Sequence, residues 1–281
     1  MPSAAAFPRV MPGPRDRAAL EQLRRAGRVP EPPAVEQDYR GCVVQKPWGF
    51  EFLAYDTPDV AAWRLRINTG HSTSMHCHPR KRTALMVLAG SALCHVFGRR
   101  YTLHAHDVLI LEAGVFHATK ATGPDGVDLI EVETPRCKTD LVRLNDLYGR
   151  EGVGYEDARH MHSDRLERFD HFSLLSTRGT SGAVTYTDAR GRFRIAVGAR
   201  TPHTLSEWGT APGSRALVVL SGGLTDHHGN IVAGIGEAVS PLAASMCRPH
   251  GFRPVVALTL EQPGAVAASP VSASGGRSSR S

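Results

Sequence analysis

The chain has 281 residues, of which 41% are hydrophobic and 21% charged, with a formal net charge of +6. This length suits one large domain or two of ordinary size, and the composition is that of a globular protein. No apolar run approaches the ~20 residues that cross a bilayer, and residues 1–17 lack the apolar core of a signal peptide, so a cytoplasmic protein is expected. The five cysteines form no C-x-x-C pair, which excludes a thiolate zinc site. The arginines alternate with acids and form no basic helix, so neither nucleic acid nor a membrane is an expected partner.

Residues 1–39 are rich in Pro, Ala and Arg and are predicted to form a flexible arm with one short, weakly docked helix, Pro14 to Ala26. From residue 40, short apolar segments alternate with Gly, Asn and Asp turns, which is typical of a β-sandwich or barrel. The strands predicted for this domain, residues 40–148, are Glu51–Tyr55, Ala61–Asn68, Ala84–Leu88, Ala92–Phe97, Val108–Leu111, Ala118–Ala121 and Leu129–Glu133. A helical or irregular closing segment, Thr139–Tyr148, is predicted to complete it.

Residues 149–169 are polar and charged and are predicted to be a linker, in which His160 and His162 are exposed. Residues 170–263 are predicted to form a second domain, and residues 264–281, rich in Ala, Ser and Gly, a disordered tail. The strands predicted for the second domain are Phe172–Leu175, Ala183–Thr187, Phe193–Val197, Ala216–Leu220, Ile231–Val232, Ala238–Val239 and Val255–Leu260.

An internal repeat links the two domains. Residues 84–90 are similar to residues 216–222, and residues 106–109 are echoed by residues 236–239. Self-similarity of this kind favours a duplicated module. In this alignment His76 and His78 correspond to Trp208 and Thr210, so the second module is predicted to lack the metal site described next.

Three histidines form a candidate metal site. His76 and His78 are two residues apart, and alternate residues of an extended strand point to the same face. His117 follows a glycine turn about forty residues later and completes a set of three. Neutral imidazole is a good ligand for several divalent metals, so the site predicts a bound Fe, Zn, Mn or Ni ion. By the same alternation Cys77 should point away from the ion.

The same stretch resembles the cupin pattern. The residues that match this pattern are Gly70, His76, His78, Gly90, Gly114 and His117. A closer resemblance covers residues 46–150, where segments 46–51, 129–133 and 140–150 are similar to the type II mannose-6-phosphate isomerases. The resemblance implies an all-β fold, a cupin-type β-barrel (jelly roll), with two cupin-like modules in tandem and the second degenerate. The family's Gln, His, Glu and His ligands correspond here to His76, His78, Thr83 and His117.

Two carboxylates are candidate catalytic residues. Glu131 shares a strand face with Leu129, so it is either a general base inside the barrel or a partner of Arg64 or Arg66 on the wall. Glu112 replaces a turn proline beside His117 and is either an acid–base group or a surface residue.

The candidate substrate-binding residues are mostly basic. Arg64 and Arg66, with the basic residues 80–82, could clamp a phosphate or carboxylate at the barrel mouth. The alternative for residues 80–82 is a solvated basic loop. Thr83 could donate a hydrogen bond to a bound water.

Three functions remain open from the sequence. The first is a metal-dependent isomerase or epimerase of a small, anionic, sugar-phosphate-like substrate, which the local resemblance favours. The second is a three-histidine Fe(II) dioxygenase of a small molecule, favoured because the Glu ligand is missing. The third is a non-catalytic metabolite-binding cupin. A homodimer is expected, since cupins commonly pair through their sheets.

Overall fold

The computed structural model describes residues 7–31, 37–151, 155–156, 158–175, 182–251 and 253–264. These residues form antiparallel sheets and few helices, which confirms the all-β prediction. The helices are α1 (Pro14–Arg25), α2 (Pro202–Thr210) and α3 (Pro241–Ser245), with 3-10 turns at Ala158–His160 and Leu166–Phe169. Across these ranges, no helix combines the length and the apolar character that crossing a membrane requires.

The first module is a sandwich of two sheets. Its strands are β1 (Arg9–Val10), β2 (Val43–Lys46), β3 (Gly49–Asp56), β4 (Ala61–Ile67), β5 (Met75–Cys77), β6 (Arg82–Val96), β7 (Arg99–His104), β8 (Val108–Leu111), β9 (His117–Ala121), β10 (Val127–Thr134), β11 (Val142–Asn145) and β12 (Met161–His162). One sheet runs β12-β2-β3-β4-β10-β6-β8-β1, and the other runs β11-β5-β9-β6-β7.

Strand β6 belongs to both sheets. The two strands predicted at Ala84–Leu88 and Ala92–Phe97 are therefore parts of one long strand. The chain bends at Gly90, whose φ is +86°. A Cβ at this position would lie 2.2 Å from the carbonyl oxygen of Gly126, so only glycine fits the bend.

Alternation along the strands fills the space between the sheets. Trp63, Leu65, Leu85 and Leu129 are buried in one apolar cluster there. Because side chains alternate, Glu131 shares the inward face with Leu129. The alternation that builds the apolar core therefore also places the carboxylate of Glu131 inside the barrel.

The closing segment differs from its prediction. Residues Val142–Asn145 form strand β11 rather than a helix or an irregular stretch. Val142 pairs with Cys77, and Arg143 pairs with His76, so this short strand forms by hydrogen bonding to the β5 edge. Four residues show too little periodicity to be recognised without that partner.

The predicted arm is described over residues 7–31 and 37–39, and its helix α1 lies against the barrel. Leu20 and Leu23 of α1 pack with Cys77 and Phe116 on the outer side of β5 and β9. The Asp16 carboxylate accepts a hydrogen bond of 2.7 Å from the backbone N–H of Phe116. One row of apolar side chains on α1 is enough to pack the helix on the barrel, because the barrel presents an apolar surface to that row.

The second module is a five-stranded sheet with a smaller three-stranded one. Its strands are β13 (Val184–Thr187), β14 (Arg194–Arg200), β15 (Ser214–Ser221), β16 (Leu224–Thr225), β17 (Ile231–Ala233), β18 (Ala238–Val239), β19 (Arg248–Pro249) and β20 (Val255–Glu261). The sheets run β13-β14-β20-β15-β18 and β17-β16-β19. The strand predicted at Phe172–Leu175 is an irregular segment, in which the Leu174 N–H donates to the carbonyl of Ala54 at 2.7 Å.

The two modules share a core. Phe52 and Ile130, on the outer face of the first sheet, belong to one buried cluster with Phe193, Ile195 and Val218 of the second module. The segment predicted to be a linker takes part as well, since its strand β12 pairs with β2. The predicted tail lies outside the described residues from residue 265 onward.

The internal repeat has a structural counterpart. The Val87 N–H donates to the carbonyl of Asp107 at 3.0 Å, and the Val219 N–H donates to that of Glu237 at the same distance. His106 and Gly236 each have a φ of +77° in the corresponding turns. Where the first module has strand β5, the second has helix α2, so Trp208 and Thr210 present no equivalent of the histidine pair.

Candidate metal centre

Two neighbouring strands, β5 and β9, bring the histidines together. His76 on β5 is the direct cross-strand partner of His117 on β9. His78 follows β5, and its carbonyl accepts a hydrogen bond of 2.8 Å from the N–H of Gly114, in the turn before His117. All three side chains are buried, and one ring nitrogen from each lies within 4.8 Å of the others. The structure therefore assembles the three residues that the spacing singled out.

Each ring is held by a backbone carbonyl. The Nδ1 atom lies 2.8 Å from the carbonyl oxygen of Ser74 in His76, 2.6 Å from that of Asp140 in His78, and 3.0 Å from that of Val115 in His117. A neutral imidazole that donates through Nδ1 presents its Nε2 lone pair. Carbonyl partners of this kind orient metal-ligating histidines in proteins.

The other ring nitrogens fit a metal ion. The Nε2 atoms of His78 and His117 are buried and have no hydrogen-bond partner among the described residues. Buried polar atoms without a partner are costly, and a divalent ion would satisfy them. Burial, together with neighbouring positive charge, lowers the pKa of His76 and His78 well below the usual value. The rings are thus neutral, as ligation requires.

The metal-free protein should lose stability in mild acid. Burial lowers the pKa of His117 from 6.5 to about 4, so between these values the unfolded chain binds the proton more readily. The contribution of His117 is complete above pH 6.5 and should fall by about 3 kcal/mol as the pH drops to 4. Urea unfolding of chelator-treated protein measures it. Because other groups titrate in this range, the wild type is compared with His117→Gln at each pH, and an equal pH dependence of both would contradict the prediction.

A small charged cavity adjoins the histidines. It measures about 50 Å³, enough for a few water molecules. Five cationic side chains and three carboxylates contribute to its wall. The cations are Lys46, Lys81, Lys138, Arg143 and Arg150, and the carboxylates are Glu51, Glu131 and Glu133. With neutral histidines and a divalent ion, the cavity would carry an excess of positive charge.

Glu131 and Glu51 have opposite proton affinities in this cavity. Burial raises the pKa of Glu131 to about 7, against the attraction of Lys138. Burial would also raise that of Glu51, but Lys138, Lys46 and a hydrogen bond from Tyr155 hold its pKa at about 2. Pairs of carboxylates with separated pKa values are typical of sites where one group exchanges a proton and the other stays ionised.

Lysine side chains form ion pairs with the other carboxylates of the cavity wall. The Nζ of Lys81 lies 2.8 Å from a carboxylate oxygen of Glu133, and both side chains are almost fully buried. The Nζ of Lys138 lies 3.1 Å from Glu51 and 3.6 Å from Glu133. No hydrogen bond joins Glu131 to any described residue, although its carboxylate lines the cavity. Glu131 is therefore the least constrained acid in the wall.

Arg64 and Arg66 lie on the opposite face of β4 from the cavity. Arg64 is 2.5 Å and Arg66 2.8 Å from the carboxylate of Asp128. They pair with Asp128 and not with Glu131, because alternation directs Trp63 and Leu65 inward instead. This placement removes the arginine–Glu131 pair that the sequence left open.

The remaining candidates are scattered. Glu112 pairs with Arg9 and, at 3.2 Å, with Arg82, outside the cavity wall. Thr83 is buried on β6, and its hydroxyl has no partner among the described residues. Cys77 points to α1, away from the ligands, as alternation predicts.

Sequence reasoning missed much of the cavity wall. Lys46, Glu51, Arg143 and Arg150 lie within segments that carry the family resemblance, but none of them was singled out as a site residue. Their signal is charge at inward positions of apolar strands, as with Glu51 on β3. Tyr155, which lines the cavity, and Glu156, which pairs with cations of its wall, belong to the predicted linker, whose return to the barrel has no local signal. The carboxylate of Glu156 forms ion pairs with three cations, which are Lys46, Arg143 at 3.1 Å and Arg150 at 2.6 Å.

Comparison with protein families identifies part of the first module. A family model described as a cupin domain matches residues 63–133. The chain is 24% identical over 109 residues to mannose-1-phosphate guanylyltransferase of Klebsiella pneumoniae, which covers 38% of this chain and 23% of that protein. The enzyme ManC of the same name from Salmonella typhimurium is 25% identical over 141 residues, or 48% of this chain and 28% of that protein. The chain thus spans about a quarter of the length of these relatives.

Solved structures give weaker likenesses. KdgF from a Halomonas species is 23% identical with a TM-score of 0.30, covering 36% of this chain and 84% of that chain. An RmlC-like cupin from Shewanella frigidimarina is 19% identical with a TM-score of 0.31, covering 37% of this chain and 92% of that chain. The fold assignment rests on the family match and on the observed strand order instead.

Proposed function

We propose, on the premise that residues 63–133 are a cupin domain, that the protein is a metal-dependent enzyme acting on a small anionic substrate. The reaction is a proton shift next to a carbonyl, of the isomerase or epimerase type. The observation that carries the proposal is the Glu131 carboxylate, which lines the same cavity as the histidines and has a pKa of about 7.

The residues that would bind the metal ion are His76, His78 and His117. A divalent ion bound there would supply Lewis-acid polarisation of a substrate carbonyl. Imidazole ligands suit Fe, Zn or Ni, and Mn remains a candidate. The three backbone carbonyls at Nδ1 hold the rings in the tautomer that ligation needs.

The cationic wall selects an anionic substrate. Lys46, Arg143 and Arg150 converge on the carboxylate of Glu156, which marks a place where a phosphate or carboxylate group would be stabilised. The relatives in the comparison are named for mannose 1-phosphate, a sugar phosphate. Because the cavity measures about 50 Å³, a substrate of that size would require Tyr155 and Glu156 to move.

Glu131 transfers the proton. With a pKa of about 7 it is partly ionised at neutral pH and is suited to accept a proton from a carbon beside the carbonyl. In isomerisation the protonated carboxyl group returns the proton to the neighbouring carbon, while the hydroxyl proton moves from one substrate oxygen to the other. In epimerisation a different acid of the wall delivers a proton to the opposite face of the same carbon, and Glu131 keeps the proton that it removed. Neither reaction consumes a co-reactant.

A three-histidine Fe(II) dioxygenase is a second candidate. The specific observation is the ligand set itself, since the residue corresponding to the family's Glu ligand is Thr83, which cannot supply a carboxylate. Three neutral ligands leave open coordination positions on a six-coordinate ion.

Metal analysis tests the proposal and separates the two candidates. Protein purified without added metal, with and without air, is expected to contain about one zinc, manganese or nickel ion that air does not affect. Incubation with sugar phosphates in D₂O should then place deuterium on a substrate carbon, detected by NMR. Iron that is lost or oxidised in air would favour the dioxygenase. Absence of any metal after reconstitution would overturn both enzymes and leave a metabolite-binding module.

A further inference from the structure

We propose that the protein has a second ligand site, an arginine cleft that binds a small phosphorylated molecule. The cleft lies between the two modules, on the outer face of the first sheet, and measures about 370 Å³. Its defining residues are Arg64, Arg66, Arg168, Arg190 and Arg192, which come from β4, from the segment joining the modules and from the second module.

The cleft carries more cations than its own acids neutralise. Its wall contains five arginines but three aspartates, Asp128, Asp170 and Asp188. Asp128 is fully buried and is shared by Arg64, Arg66 and Arg192, at 2.5, 2.8 and 3.3 Å. Arg192 also pairs with Asp188 at 2.8 Å. Two carboxylates therefore serve three guanidinium groups, and positive charge is left over for a ligand.

Several donors in the cleft remain available. Arg168 and Arg190 are exposed and form no ion pair with any described residue. The side chain of Arg64 is 3% exposed, and its Nε atom has no hydrogen-bond partner within the described part of the chain. Guanidinium groups match the oxygen geometry of phosphate, so unfilled donors on both sides of a cleft point to a phosphoryl group.

The size and the apolar part of the wall favour a small phosphate ester. A volume of 370 Å³ falls in the range of about 300–1,000 Å³ typical of small-molecule sites. Phe50 and Phe169 lie edge to face at 5.0 Å in the same wall and offer an apolar surface to the organic part of the ligand. The site is separate from the metal centre, because Arg64 and Arg66 point to the other side of their strand.

Calorimetric titration of the full chain with inorganic pyrophosphate in 0.15 M salt tests the site, since salt at about this level screens general charge attraction. Wild-type protein should show saturable binding. The double variant Arg168→Gln/Arg190→Gln should bind at least about tenfold more weakly, because it loses two contacts between guanidinium and phosphate groups. Both side chains are exposed, so the variant should keep its circular dichroism spectrum and its Tm.

Two controls locate the binding. Arg15→Gln removes an exposed arginine of α1, and Arg100→Gln removes an exposed arginine of β7. Unchanged affinity in both, with loss in the double variant, is the expected result. Absence of binding by the wild type, equal affinity of the double variant, or an equal loss in Arg15→Gln or Arg100→Gln would overturn the proposal. Because pyrophosphate also binds divalent ions, the titration is repeated after chelator treatment, and the same result is expected.

Discussion

Replacing His76 or His117 by alanine is expected to abolish metal retention while the barrel stays folded. Each substitution removes one of three converging ligands. Outer-shell partners of metal-ligating histidines are worth about 10–100-fold in metal affinity, so loss of a ligand itself should exceed that range. Because the core between the sheets is untouched, the free energy of unfolding should fall by only about 1–3 kcal/mol. Metal content after gel filtration and near-UV circular dichroism measure the two effects.

His104→Ala is the matched control. His104 is an exposed histidine at the end of β7 in the same module and is not part of the ligand cluster. This variant should keep its metal and its stability. Full metal content in both His76→Ala and His117→Ala would place the metal site elsewhere.

Glu131→Gln is expected to reduce turnover by about 10²–10⁴-fold, the range usual for loss of a general acid–base group. The amide keeps the shape of the side chain but cannot accept the proton. Deuterium incorporation into the substrate should disappear, while metal content stays unchanged because Glu131 is not a member of the ligand cluster. Glu21→Gln, an exposed change on α1, serves as the control for the loss of one carboxylate. Turnover equal to that of the wild type would remove Glu131 from the mechanism.

The same variant should be more stable than the wild type at alkaline pH. The pKa of Glu131 is about 7 in the folded protein, whereas its ordinary value is 4.5. The contribution of Glu131 to the free energy of unfolding is therefore complete below pH 4.5 and is lost as the pH rises through 7. A neutral glutamine avoids that loss, which corresponds to about 3 kcal/mol. Urea unfolding at pH 4.5 and pH 8 should show the difference between variant and wild type growing with pH. A difference independent of pH would mean that Glu131 is not held in an unfavourable charged state.

Short-range sequence patterns were sufficient to predict the three histidines and much of the sheet. His76 and His78 follow from the two-residue period of a strand, and His117 from the glycine turn before it. The same period placed Cys77 on the opposite face and Glu131 beside Leu129. These features depend on neighbours in the chain, so one segment contains the whole signal.

Contacts between distant segments decided the rest. Both faces of β4 are covered, one by the barrel core and the other by the second module, so alternation alone could not tell whether Trp63 or Arg64 points to the cavity. The closing segment is a strand only because β5 offers it an edge. Glu156 is buried behind the cavity wall because its charge is compensated there by Lys46, Arg143 and Arg150.

The sequence by itself thus determined the histidine cluster, the β-strand architecture and the absence of the histidine pair from the second module. Tertiary structure alone decided the composition of the charged cavity, the contacts of α1 with the barrel and the position of the arginine cleft. The physical reason is the range of the interactions. Alternation is set by the backbone of one strand, whereas buried charges are stable only beside partners that folding brings from elsewhere in the chain.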